Sequence, residues 1–320
     1  KIGLKRTDQI KIGVIGNGFV GSAVANGFSS EEVKVYDKNP NSSTHSLRDV
    51  ILQDFVFICV PTPMRDVMGD DCNLSIIESC FSEIKSIGSN ATFIIKSTVP
   101  IGTTDSLQEA HPELHIIHSP EFLTAKLAKE DFINADRHII GYTKYQHVAQ
   151  EAAGLFKYNF PDVPCLIMKS VESESVKYIA NCFFATKVSF FNEIHLLIDK
   201  LGLDWDSIIN GVISDKRIGE SHYQVPGHDG DKGFGGTCFP KDINALSLQA
   251  FALKGLAQVY TLEGNYQLAI QTLNNARVLS SSVDDLILNQ EIYKGLSENY
   301  LAINKWEEFK KYQNNFLNTQ

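Results

Sequence analysis

Cys238 sits in Gly233-Phe234-Gly235-Gly236-Thr237-Cys238-Phe239-Pro240-Lys241-Asp242. Pro240 suits the first turn of a helix continuing through Asn244, Ala245 and Leu246. A thiol at a helix N-terminus beside Lys241 has its thiolate favoured by dipole and charge. The glycines before it let a substrate approach, and Asp242 stacks one turn below. This is the setting of a nucleophile. Lys177 and Asn181, four residues apart on a long helical pattern, project from one face. Side by side they could hold a developing oxyanion; taken alone, a surface Lys–Asn pair is the plainer reading. The other five cysteines are scattered without a CxxC pair and read as reduced thiols of a cytoplasmic chain.

A second constellation lies near the start. Lys11-Ile12-Gly13-Val14-Ile15 is an apolar strand running into Gly16-Asn17-Gly18-Phe19-Val20-Gly21, a Gly-x-Gly-x-x-Gly that opens a helix. The first glycine permits the tight turn, the second lets a pyrophosphate approach the backbone, and the third lets helix pack on strand. The helix N-terminus then faces the phosphates. Asp37 ends the next strand about twenty residues after Gly16. A carboxylate there accepts bonds from ribose hydroxyls and repels a 2′-phosphate, which favours NAD over NADP; Lys38 weakens that preference.

These residues need elements to hold them. Seven short strands are expected, at Ile12–Ile15, Val33–Tyr36, Phe55–Cys59, Thr92–Ile95, His115–Ile117, Arg137–Ile140 and Cys165–Met168, with helical patterns such as Ser22–Phe28, Ile76–Ile87 and Tyr145–Phe156 between them. The alternation predicts an α/β fold, a doubly wound parallel sheet over residues 1–168. Glu172–Leu201 then reads as one long helix without Pro or Gly, stopped by Gly202, and opens an α-helical central domain over 169–250. Its length suggests a homodimer interface.

The remainder, 251–320, carries no proline and shows a period of 40. Gly255, Leu256, Tyr260, Tyr266 and Ala276 align with Gly295, Leu296, Tyr300, Trp306 and Phe316. This resembles tetratricopeptide repeats, with spacing similar to Rap-type peptide-responsive regulators. A peptide or protein partner is expected for such a tail, and a plain pair of helical hairpins is the alternative.

Lys and Arg total 29 against 38 Asp and Glu, a net charge of −9. Nucleic acid and anionic membranes need a basic footprint and are therefore not expected partners. No apolar run reaches the ~18 residues a membrane helix requires, and the start does not read as a signal peptide. His111, His115 and His118 do not suggest a metal site, because an odd offset on a strand puts His115 and His118 on opposite faces.

Together the pieces resemble the UDP-glucose/GDP-mannose dehydrogenase family over residues 11 to about 248. The carrying motifs are Gly16–Gly21, Cys59-Val60-Pro61-Thr62-Pro63, Lys96-Ser97-Thr98-Val99-Pro100, Ser119-Pro120-Glu121-Phe122-Leu123, Lys177-x-x-x-Asn181, Lys187-x-x-Phe190-x-Asn192-Glu193, Arg217-Ile218-Gly219 and Gly235-Gly236-x-Cys238-Phe239-Pro240-Lys241-Asp242. The resemblance implies a four-electron oxidation of a nucleotide sugar's C6 alcohol to a carboxylate, UDP-glucose to UDP-glucuronate, with two NAD and a cysteine thioester. By position it makes Cys238 the nucleophile and gives the oxyanion to Lys177 and Asn181. Asp242 with Thr98 would place a water, and Glu121 would assist hydrolysis. The cofactor would lie along Gly16, Gly18, Phe19, Val20, Gly21, Asp37, Lys38, Val60, Pro61, Thr62, Ser97 and Thr98. The substrate would meet Glu121, Phe122, Leu123, Lys177, Asn181, Arg217, Phe234, Gly235 and Lys241.

Two departures stand out. The second acid that the family commonly carries four residues after the first is absent at Ala125. Nothing after Phe251 shows the βα pattern of the family's nucleotide-gripping domain. The alternative reading is an impaired NAD-binding scaffold with a protein-binding tail.

Overall fold

A computed structural model describes residues 10–28, 31–63, 72–124, 127–227, 230, 232, 253–280 and 286–319. The chain divides into two compact units, the first running through Lys177 and the second from Tyr178 onward.

The first unit is a seven-stranded sheet of β1 (Lys11–Ile15), β2 (Glu32–Tyr36), β3 (Phe55–Ile58), β4 (Thr92–Ile95), β5 (His115–His118), β6 (His138–Tyr142) and β7 (Cys165–Lys169), in the order β2-β1-β3-β4-β5-β6-β7. Its helices are α1 (Phe19–Gly27), α2 (Leu47–Ile51), α3 (Ser75–Ile87), α4 (Thr103–Ala110), α5 (Ala128–Ile133) and α6 (Gln146–Asn159). The pleat sends alternate residues to opposite faces. Phe55 and Phe57 join Ile94 and Ile117 under α1, α5 and α6. Val56 and Ile58 join Phe93, Ile95 and Ile116 under α2, α3 and α4. Strands buried on both faces read as continuous apolar runs, which is why they stood out in the sequence.

One expectation is corrected. The sheet is not parallel throughout, because β6 pairs antiparallel with β5 while β6 and β7 are parallel to each other. The segment between β5 and β6 carries α5, which packs beside α1. The chain thus re-enters the sheet at the carboxyl edge where β5 ends, the edge opposite to the one at which β1 to β5 begin.

α7 (Ser170–Leu201) follows β7 directly and passes from the first unit into the second; Gly202 ends it at φ +65°. The second unit also holds α8 (Trp205–Ile213), α9 (residues 253–262), α10 (Tyr266–Ser280), α11 (Leu286–Ala302) and α12 (Trp306–Asn318). Ala257, Ile270, Leu273, Leu288, Ile292, Leu296 and Tyr312 form the core of its last part. The same turn closes α9 and α11. Asn265 N–H bonds the Tyr260 carbonyl and Gly264 N–H the Thr261 carbonyl; 40 residues on, Lys305 bonds Tyr300 and Asn304 bonds Leu301. Gly264 and Asn304 both have positive φ, +76° and +58°, as this helix stop requires. No helix among the described residues is long and apolar enough to cross a membrane.

Candidate active site

Five sequence motifs begin at one edge of the sheet. The strand ends Ile15, Tyr36, Ile58, Ile95 and His118 lie in register across β1 to β5. The ladder then continues one residue past several of these ends. Gly16 N–H bonds the Tyr36 carbonyl, Cys59 bonds Ile15, Lys96 bonds Ile58 and Ser119 bonds Ile95, all at 2.8–2.9 Å. Gly16–Gly21, Asp37, Val60–Thr62, Ser97–Thr98 and Glu121–Leu123 thus share the carboxyl edge. The connections leave β1 towards β2 on one side and β3 on the other. Such a switch point is where open α/β sheets bind ligands.

The glycine loop fits a dinucleotide. Gly16 has φ +91°, and a Cβ there would meet the Cys59 carbonyl oxygen at 2.6 Å. A Cβ on Gly21 would collide with the Gly16 carbonyl oxygen, so α1 approaches the loop only with glycine. Gly18, by contrast, would meet nothing within 4 Å, leaving space for a phosphate. Phe19 and Val20 open α1, whose first-turn amides point at that space. The Asp37 carboxylate is held by the Asn17 amide at 2.7 Å and the Asn39 amide at 2.8 Å, with lone pairs left for ribose hydroxyls. Lys38 is exposed.

Glu121 and Lys177 form a buried ion pair of 2.9 Å. The second Glu121 oxygen accepts from the Leu123 amide at 2.7 Å. Two cations lie over the Phe122 ring, Lys177 Nζ 5.4 Å and the Arg137 guanidinium 4.5 Å from its centre. α7 reaches this place because one face of its first two turns is stitched to the first unit at helical spacing. Ser170 donates to Asp105, Ser173 meets His118 Nδ1 at 2.9 Å, and Glu174 accepts from the Gly102 and Thr104 amides and the Thr104 hydroxyl. Burial raises the Glu174 pKa against those three bonds. Asn181 is buried one turn beyond Lys177 on the same helix.

The Thr62 hydroxyl donates to the Thr98 carbonyl at 2.7 Å, and Ser97 to the Val60 carbonyl at 2.6 Å, so the two motifs brace each other. Pro61 is exposed and Thr98 half-buried. In the second unit Arg217 is exposed, its guanidinium on Asp215. Lys187 donates to the Ile218 and Gly219 carbonyls at 2.8 and 3.2 Å, joining two motifs that the sequence left separate. Cys238, Phe234, Gly235, Lys241 and Asp242 lie outside the described residues, as does Ala125. Burial pushes the Cys59 and Cys80 thiols up to about 12 and raises Cys165 as well. Among the described residues no group of three His, Cys, Asp or Glu is arranged to hold a metal.

Sequence reasoning gave no role to Lys96, which is 2% exposed. Its signal was a lysine placed directly after the apolar run Thr92-Phe93-Ile94-Ile95.

Two family models match the chain. Residues 35–159 match the NAD binding domain and residues 171–264 the central domain of the UDP-glucose/GDP-mannose dehydrogenase family. The central-domain match thus extends past Phe251. UDP-glucose 6-dehydrogenase of Campylobacter jejuni is 34% identical over 240 residues, 74% of this chain and 56% of that protein. UDP-glucose 6-dehydrogenase YwqF of Bacillus subtilis is 33% identical over 218 residues, 66% of this chain and 47% of that protein. The chain spans about half the length of the curated relatives it matches. Among solved structures, a UDP-glucose dehydrogenase from Pyrobaculum islandicum superposes with a TM-score of 0.65 at 26% identity, covering 93% of this chain and 73% of that one. The NAD binding domain, with the loop and Asp37 arranged as above, makes NAD the cofactor. By its NAD binding and central domains, the chain belongs to the UDP-glucose/GDP-mannose dehydrogenase family.

Proposed function

We propose that the chain oxidises the C6 alcohol of a UDP-sugar, UDP-glucose first among them, to the carboxylate through a thioester on Cys238. The observation that carries this is the gathering of five motifs at one sheet edge with the buried Glu121–Lys177 pair among them. Bound NAD supplies the hydride acceptor for each of the two oxidations.

The chain's own residues do the rest. Asp242 and Thr98 hold a water that takes the alcohol proton as the aldehyde forms. Cys238 sulfur attacks the aldehyde carbon, forming a C–S bond, while Lys177 and Asn181 donate to the oxygen that becomes negative. Loss of hydride from that carbon leaves the thioester. Water, assisted by Glu121, then breaks the C–S bond, releasing the carboxylate and restoring the thiolate. Phe122, Leu123, Arg217, Phe234, Gly235 and Lys241 contact the sugar nucleotide. Ile179, Phe183, Phe190, Leu197 and Leu201 are exposed along α7, which supports a homodimer through that helix.

The test is NADH formation by purified protein with NAD and UDP-glucose. Two NADH per sugar, lost in Cys238→Ser, is the expected result. Tight NAD binding without any NADH from UDP-glucose would overturn the reading.

A further inference from the structure

Lys96 closes β4 and is fully enclosed, yet among the described residues its ammonium has no carboxylate of its own. Nζ donates to the Pro120 carbonyl at 3.1 Å and to Ser119 Oγ at 3.4 Å, and lies 5.7 Å from the centre of the Phe132 ring. A lysine that merely filled space would run its head out to water, and an apolar side chain would fill this place without desolvating a charge. Both acceptors belong to the short turn that carries Glu121, and the accepting carbonyl is the one in the Pro120–Glu121 peptide. Among the described residues the charged and titratable groups facing Lys96 are Cys59 beyond β3, His118 on β5, His138 on β6, Glu121 and Lys177. Glu121 is the single anion in that set.

We propose that Lys96 is a positioning residue for the Glu121–Lys177 pair, fixing the Ser119-Pro120-Glu121 turn so that one carboxylate oxygen meets Lys177 and the other the Leu123 amide. The assignment rests on the catalytic reading above and adds to it a residue that touches neither substrate nor cofactor. Burial brings the Lys96 pKa down to about 8, so the tether passes from ammonium to amine in mildly alkaline solution. Turnover that depends on the pair falls there.

Two measurements on the full chain test this. The first is a titration of ε-13C-lysine resonances, with Lys96 identified by the signal missing from Lys96→Met or Lys96→Arg. Its midpoint near 8 falls by roughly one pH unit in Glu121→Gln, because a facing anion has been removed. An unchanged midpoint overturns the proposal whether or not the protein turns over. The second is the pH profile of kcat. Lys96→Met lowers kcat about tenfold to a hundredfold by misplacing a reacting group. It leaves KM for NAD unchanged and removes the alkaline limb around pH 8. A structural role alone would lower the melting temperature and leave the profile's shape, which overturns the proposal. Absence of wild-type turnover would sink the catalytic reading, and the titration would still decide whether Lys96 and Glu121 are coupled.

Discussion

Replacing Glu121 by Gln should cost the fold more than replacing Lys177 by Met. The two side chains are 8% and 7% exposed and 2.9 Å apart, and removing one partner of such a pair typically costs about 3–5 kcal/mol. The costs divide unequally because two buried ammonium groups face one carboxylate. In Lys177→Met, Glu121 keeps the Leu123 amide and the nearby charge of Lys96, which places the loss at about 3 kcal/mol. In Glu121→Gln both lysines lose their counter-charge and repel, which places it at about 5 kcal/mol. The double variant should be more stable than Glu121→Gln alone. The folded Lys96 ionises near 8 against an ordinary 10.5. Between those values the unfolded chain binds the extra proton, so stability rises with pH there. In Glu121→Gln the rise begins about one pH unit lower, so its deficit shrinks as pH climbs towards 8 and stays constant above it. Calorimetry reads this, with the first unit's transition identified as the one NAD shifts upward. A Lys177→Met loss equal to or larger than that of Glu121→Gln would refute the shared-carboxylate argument.

Three further outcomes are expected. Burial holds the His138 pKa at about 3 against 6.5, and its Nε2 has no partner among the described residues, so acid favours the unfolded chain below 6.5. His138→Phe, placed among Phe132, Phe156 and Phe160, should therefore gain about 2 kcal/mol on wild type between pH 7.5 and 5, read by urea unfolding. Gly21→Ala should weaken NAD binding about a hundredfold by calorimetric titration, because α1 must shift off the Gly16 carbonyl. Asn304→Gly should stabilise the second unit by about 0.5 kcal/mol while Gly264→Ala destabilises it by about 1 kcal/mol, followed by tryptophan fluorescence on melting.

Much of this was legible because the first unit's central strands are buried on both faces. Phe55–Ile58 and Thr92–Ile95 are unbroken apolar runs, and their carboxyl ends are where the motif residues begin. The spacing from Gly16 to Asp37 encodes a strand–helix–strand unit, so the dinucleotide loop and its carboxylate could be paired before any fold was known. The direction of β6 could not be read. His138–Tyr142 has the same composition whichever way it runs, and only pairing with β5 and the path of the preceding segment fix it. Lys96 escaped notice for a different reason. A lysine ordinarily marks a surface, and nothing local shows that Ser119 and Pro120, more than twenty residues on, will close over it. Asp215, two residues away, holds Arg217, an attachment local enough for sequence to suggest but not to distinguish from a substrate contact.

The state of the thiols bears on covalent probes. Burial keeps Cys59 and Cys80 protonated until about pH 12 and moves Cys165 in the same direction, while Cys72 and Cys182 are buried. Thiolates do the reacting, so an alkylating reagent at neutral pH meets little competition from these five. Stoichiometric labelling then reports on Cys238, the remaining cysteine of the chain. On the proposed reading of Cys238, a mild electrophile becomes a way to count that thiol, and any protection by added UDP-glucose a measure of occupancy that needs no turnover.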